Sequence, residues 1–554
     1  MIIDFFGFIK KIPGSVVPFG NLNISVNLAE FPGQSALDLT KISSYFASMK
    51  FWKLLPLVLL LLLLTTSAAN AAEYIDYGYY GLLDNLDPRL PQYRLNLLSR
   101  LQVSTGFYHS YYFNTGDYQP ASELNSQIAE YLRKKESLVF AFQAKNVDAH
   151  LGFMAKEDWL GMTENDDNIS NLQSSFTFRG TARIADKIEL CQDITIFRAD
   201  STYNLEHAST TGEFLKDPRL NYNFPYRGAL TSDAYFIEVQ TDRALIKASV
   251  FGVDLSSGRE RLQYKIGYRN GLIMSGIARP VDMFYRIDYH VWRVYYSALA
   301  GQLTDDGKRY ISLKRLAFRI AHNLQIGGTE GVMYYDDPTA YINPLMFFYL
   351  VHRHRPTNQD NLIATFDISY TPFKTLNLYG VFLDDDYIMF EGGASKYGYL
   401  VGLYKTELLS QRLDFRFEYT NVRKWTYTHV SHVNAWEYRN VPFGFWLGPD
   451  ADELYSKIDY YLSPSTCLSL NFDRVRKGEG VLDVPWEDDP TQDKKPPFPS
   501  GVVEKSTGGW LDIYRELGRF SLRGRVGYRF VKNAHNEPGE LDNYFLHLVV
   551  NLYL

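Results

Sequence analysis

Cysteine is nearly absent from this chain of 554 residues, which contains only Cys191 and Cys467. Two thiols so far apart carry no metal-ligand spacing, and although an oxidising compartment would permit a disulfide, no spacing signal calls for one. Positive charge is not in surplus. Lys and Arg number 57 against 63 Asp and Glu, a net charge of −6, which excludes a broad basic surface for nucleic acid. No Gly/Ser-rich linker divides the chain. Long hydrophobic runs are scarce too. The stretch from Leu54 to Leu64 is interrupted by Pro56 and is too short for a spanning helix, which needs about 20 residues.

That stretch has a different meaning. From Met49 the chain reads Met-Lys-Phe-Trp-Lys, then the apolar run, then TTSAANAAEY: a basic start, a short apolar core and a small-residue cleavage site. Residues 49–71 are therefore expected to form a secretory signal peptide cut after Ala71. Residues 1–48 have no place in an exported protein. A start codon assigned too early, with Met49 as the true initiator, accounts for them; the rival is a genuine upstream segment with an internal membrane anchor.

Aromatic residues are abundant: 16% of the chain, with 42 Tyr and 36 Phe, as two aromatic girdles at membrane interfaces require. Towards the C-terminus, Tyr544, Leu546, Leu548, Val550, Leu552 and Leu554 are apolar at every second position, with Asn543, His547, Asn551 and Tyr553 between them. One run earlier, Phe520, Leu522, Val526, Tyr528 and Phe530 share a face opposite Arg519, Arg523, Arg525 and Arg529. Strands with one greasy and one ionic face suit a lipid-facing exterior around a polar lumen, because each arginine at the lipid midplane would cost about 2–4 kcal/mol. Connections near Leu517, Pro464, Ser410, Phe373 and His322 are short, while Tyr335 to Gln359, Lys424 to Ala451 and Lys477 to Gly508 are long. Short periplasmic turns alternating with long outside loops are the wiring of an outer-membrane barrel.

The expected fold is all-β. Residues 138–554 form a transmembrane antiparallel β-barrel of about 18 strands, the region from Arg261 to Pro280 being the hardest to assign. Residues 72–137 form a small, partly helical periplasmic segment, since ASELNSQIAEYLRKKE has helical spacing and a plausible Ser122 cap. In RLDFRFEYTN, Arg412, Asp414, Arg416, Glu418 and Thr420 alternate in sign on the face expected to line the lumen, a face to which Arg523 and Arg525 also belong later on. Such a ladder reads either as a structural ion-pair network or as a path for solute or polymer.

The long loops carry a family resemblance. The stretch GGTEGVMYYDDPTAYINPLMFFYLVHRHRPTNQDNLIATFDISYTPFKTLNLYGVFLDDDY, Gly327 to Tyr387, resembles the signature region of the Wzi-type capsule-assembly outer-membrane family, as does EYTNVRKWTYTHVSHVNAWEYRNVPFGFWLGPDADELY followed by RVRKGEG. Agreement runs from about Lys308 to Gly480 and is weaker upstream, where SSGRERLQYKIGYRNGLIMSG lacks a clear glycine-and-tryptophan turn. The resemblance implies an 18-stranded barrel, with a helical piece near its periplasmic end, that holds or assembles capsular polysaccharide at the surface of a Gram-negative-type bacterium. Expected partners are that glycan, or another surface polysaccharide, and outer-membrane lipid. The alternative is an outer-membrane channel for small solutes.

Sugars are held by aromatic faces and by carboxylates, amides and imidazoles. One loop gathers Trp425, Tyr427, His429, His432, Trp436, Tyr438 and Trp446, closed by Asp450 and Asp452; interface anchoring competes with glycan binding for its aromatic members. Glu330, Tyr341, Asn343, Asp360, Asn361 and Asp385 are further candidates. Against them stand a tight turn for Asn343 before Pro344, and strand capping for Asp360 and Asn361. Asp384, Asp385 and Asp386 could gather Ca²⁺ or form a solvated strand end. His352 and His354 would share one face if extended, but a metal pair needs more ligands. Glu330 lacks a partner carboxylate or nucleophile, so no enzyme, metal or cofactor is expected.

Overall fold

The computed structural model describes residues 74–76, 92–104, 112–114, 121–136 and, with interruptions chiefly at 201–234, 355–359 and 386–393, residues 140–553. The expected upstream extension and signal peptide lie outside the described residues. First come β1 (Tyr74–Asp76), helix α1 (Gln92–Ser104), β2 (Tyr112–Asn114), which pairs antiparallel with β1, and helix α2 (Glu123–Glu136). The wall opens with β3 (Phe140–Ala144), β4 (Val147–Glu164), β5 (Asp167–Ile184), β6 (Ile188–Asp200), β7 (Tyr235–Val250) and β8 (Val253–Glu260). A small pair, β9 (Gln263–Tyr264) and β10 (Met274–Ser275), lies within the next connection. The wall resumes with β11 (Val281–Val291), β12 (Val294–Gln302), β13 (Arg309–Ala321) and β14 (Leu324–Tyr335). Helix α3 (Phe348–His354) precedes β15 (Asn361–Phe373), β16 (Leu376–Asp385), β17 (Tyr397–Lys405) and β18 (Leu413–Val422). A loop hairpin, β19 (Glu437–Tyr438) with β20 (Val441–Pro442), leads to β21 (Ala451–Ser463), β22 (Thr466–Lys477), β23 (Glu504–Leu517), β24 (Phe520–Lys532) and β25 (Glu540–Tyr553).

Consecutive wall strands pair antiparallel, and β25 closes on β4 from Asn543 opposite Glu164 to Tyr553 opposite Met154. Short β3 covers the rest of that edge, Phe140 opposite Leu151 through Ala144 opposite Val147. The result is the expected closed 18-strand antiparallel barrel with little helix, and closure removes the free strand edges that lipid could not satisfy. The two faces are as expected: Val526 is 55% and Tyr544 61% exposed, on the outer face, while Arg525 and Arg529 are buried inside. Tyr528 and Tyr544 meet at 4.9 Å between ring centroids on the outer face near the long-loop end, as a girdle pair would.

One end of the barrel carries short turns, such as Phe251-Gly252 between β7 and β8, where φ of 52° and 78° is the left-handed geometry that matches strand twist. Helices α1 and α2 pack at that end. Ser122 caps α2 by accepting the Asn125 N–H at 3.3 Å. Tyr93 of α1 stacks on Tyr514 at 4.5 Å and donates to the Ser463 and Pro464 carbonyls, while buried Arg100 pairs with buried Asp414.

Three expectations are corrected. β23 begins at Glu504, so the last long connection ends earlier than Gly508. Arg412 lies one residue before β18; it is exposed at the short-turn end and donates to the Leu462 carbonyl at 3.3 Å instead of lining the lumen. His352 and His354 lie on α3, not on an extended segment, and two positions apart on a helix point in opposed directions. Cys191 and Cys467 are both buried free thiols.

Candidate functional site

The lumen is filled. Residues 261–280, the segment hardest to assign from sequence, pass inward; Leu262, Tyr264, Ile266, Leu272, Ile273, Met274 and Ile277 join an apolar cluster with inward-facing Ile311, Leu313, Met333 and Leu383. An inward-turned backbone carries polar groups that must be satisfied. The Glu418 carboxylate accepts the N–H groups of Tyr268, Arg269 and Asn270 at 2.8, 3.3 and 2.8 Å, and the Tyr379 hydroxyl at 3.0 Å. The Arg269 guanidinium reaches Glu453 at 2.5 Å and Asp473 at 3.0 Å. Arg416 lies 3.5 Å from the Tyr404 ring centroid and 4.0 Å from that of Tyr268, a cation over two aromatic faces.

The other lumen charges are paired among themselves. Asp512 holds Arg523 at 2.7 Å and Arg525 at 3.1 Å, Asp473 holds Arg529 at 2.8 Å, and Asp459 holds Lys457 at 2.9 Å. Buried pairs of this kind add little net stability but fix register, because losing one partner strands the other.

At the long-loop end, residues 423–450 cap the plug. Tyr427 has φ of 74°, costly for an aromatic residue, and is held there at both ends: its N–H donates to Asp385 at 2.5 Å and its hydroxyl to the Leu272 carbonyl at 2.5 Å. Burial pushes its phenol pKa well up. The Trp436 indole N–H donates to the Ile273 carbonyl at 2.8 Å, and its ring rests against the wall at Gly331, where an added Cβ would stand 2.7 Å away.

Most sequence candidates serve this frame. His429 accepts the Ser431 N–H at 3.0 Å, and the Trp446 indole donates to Glu453 at 3.0 Å. Asp450 accepts the N–H groups of Gly480 and Ser500, each at 3.0 Å, joining two long loops. Asp452 takes Arg476 and the Tyr419 hydroxyl. Tyr341 is buried and donates to Asp360 at 2.8 Å; Asn361 donates to the Asn434 carbonyl at 2.9 Å. Asn343 accepts the Leu345 N–H at 2.9 Å, the tight-turn reading, and Glu330 accepts the N–H groups of Phe348 and Tyr349 at the start of α3.

A more accessible set lies on the same loops. His432 pairs with Asp488 at 3.1 Å, both exposed, and Lys494 stands 6.0 Å from the half-buried Trp486 ring. Beside them Asp489 takes Lys424 at 2.9 Å. Burial would raise the Asp489 carboxyl, but hydrogen bonds from Thr491 and Lys424 win and hold it at about 2. Sequence reading singled out His432 but missed Trp486, whose signal was an aromatic set among acids, Trp-Glu-Asp-Asp, between prolines.

A family model described as capsule assembly protein Wzi matches residues 197–543, well over half of the chain. No curated protein matches. Among solved structures, the chain is similar to Wzi, an outer-membrane protein involved in group 1 capsule assembly in Escherichia coli and described as a carbohydrate-binding β-barrel: 12% identity, TM-score 0.54, covering 83% of this chain and 97% of that one. Fainter likenesses are to Pseudomonas aeruginosa OpdL (8% identity, TM-score 0.44, covering 73% and 98%) and Acinetobacter baumannii OccAB4 (12%, 0.42, covering 74% and 98%).

Proposed function

We propose, from the premise that this chain belongs to the Wzi capsule-assembly family, that it binds and organises capsular polysaccharide at the cell surface while its barrel stays shut. Its barrel resides in the outer membrane. The observation that carries the reading is the plug: with residues 261–280 packed across the lumen and tied to Glu418, the site left to a large polymer is the outer face of the loops. There the glycan would meet Trp486 as a stacking face, with His432 and Asp488 offering hydrogen bonds to hydroxyls and Lys494 a cation to any uronate. Tyr427, His429, Asp450 and Asp452 act beneath them as the frame.

The protein works by binding rather than by chemistry. Glu330 and Asp385, the carboxylates nearest to catalytic candidates, are occupied by backbone N–H groups, which suits capping better than proton transfer. Export proceeds through the signal peptide at 49–71, cut after Ala71, and puts the long loops outside.

Binding of the purified full chain to immobilised capsular polysaccharide tests the reading. Trp486→Ala should weaken binding by about five- to thirtyfold, since a sugar-stacking aromatic is worth about 1–2 kcal/mol. Equal binding by the variant would remove this surface from the account.

A further inference from the structure

The connection after β14, described over 336–354, folds over the outside of the wall. Alternation fixes the faces: Arg315 on β13 points inward to Asp367, so Lys314, Ser312 and Tyr310 point outward, the side that elsewhere meets lipid. Yet these three are 8%, 0% and 8% exposed. The loop covers them. Lys314 donates to the Met346 carbonyl and stands 3.8 Å from the Phe348 ring centroid. Tyr296 of β12 donates to the Pro344 carbonyl, and Tyr285 of β11 to that of Ile342 at 2.6 Å. Tyr310, Tyr334, Tyr341 and Phe348 pack in a row of rings beneath.

With its backbone tied to the wall, the loop turns Leu345, Met346, Phe347 and Leu350 away from it, Phe347 at 66% exposure. Their depth follows from the register. Leu316, an exposed belt residue, is two positions from Lys314, about 7 Å along the strand, and it pairs with Gly328, which pairs with Phe366, itself an exposed belt residue. The patch is thus continuous with the acyl-facing belt. Nitrogen donors follow immediately: Arg353 and His354 are exposed at the end of α3, and the Tyr349 hydroxyl accepts from Arg353 at 2.7 Å. Large apolar side chains followed at once by basic ones are the makeup of an element seated at an anionic membrane interface.

We propose that the 336–354 segment is an interfacial anchor, with Leu345, Met346, Phe347 and Leu350 in the acyl layer of the outer leaflet and Arg353 and His354 on the phosphate of an acylated, phosphorylated glycolipid. The anchor fixes the barrel's height and ties the capsule-side loops to the lipid from which the surface rises.

Spin-label accessibility in reconstituted bilayers tests the depth. Cys191 and Cys467 are buried, so a label placed by Phe347→Cys reports alone, with Leu470→Cys on the lipid-facing belt and Val481→Cys on an aqueous loop as references. The 347 label should favour lipid-dissolved oxygen over aqueous nickel chelate to within about twofold of the 470 label; behaviour matching 481 overturns the anchor. Spin–spin broadening lost on dilution with unlabelled chain would put a second copy there instead, and also overturns it. For the head group, phosphorylated glycolipid co-purifying with the Arg353→Glu protein should fall at least about threefold, with heat-dependent gel mobility confirming the fold. Unchanged retention removes the phosphate contact.

Discussion

Two long connections of this barrel, 261–280 and 336–354, follow the upward strands β8 and β14 and pack on opposite faces of the wall. The inner one presents N–H groups and a guanidinium, which Glu418, Glu453 and Asp473 receive. The outer one presents carbonyls, which Tyr285, Tyr296 and Lys314 meet from the outward face, with Glu330 closing the start of α3. On each face the wall side chains complement the backbone groups that the connection turns toward them. Apolar content alone would not separate the two, since both bury aromatic clusters.

The comparison can be broken from either side. Glu418→Ala leaves three buried or half-buried backbone N–H groups and the Tyr379 hydroxyl without their acceptor inside the lumen, and should lower stability to urea unfolding in lipid by about 3–5 kcal/mol. A loss below about 1 kcal/mol would mean that apolar packing alone holds the plug. Glu330→Ala is a smaller perturbation, about 1–3 kcal/mol, confined to the outer loop. Protease should then cut within 336–354 while the heat-dependent gel mobility of the barrel stays that of the wild type; a barrel that unfolds as a whole would show that the loop is part of the wall.

The wall was legible because lipid outside and charge inside impose a strict two-residue alternation, as in Phe520, Leu522 and Val526 against Arg525 and Arg529. The plug was not, because a segment enclosed by the wall loses that period: in GYRNGLIMSG the polar Asn270 is as buried as Leu272, and Arg269 and Asn270 pair with residues some 150 to 200 positions away. The candidate site was half legible. Residue types at Tyr427, His429 and Asp450 marked the loops that cap the plug, but their inward aim depends on left-handed backbone at Tyr427 and Asp450, which composition does not reveal. The turn at Asn343 was readable because its acceptor and donor are two residues apart.

Closure of the lumen is the claim on which the capsule reading stands, and the electrical conductance of the wild-type full chain in a planar bilayer tests it most directly. The plugged barrel should give a silent membrane at voltages where open barrels of similar strand number pass steady current. A sustained, voltage-proportional current from the purified protein would contradict the closed barrel and return the lumen to a solute pathway.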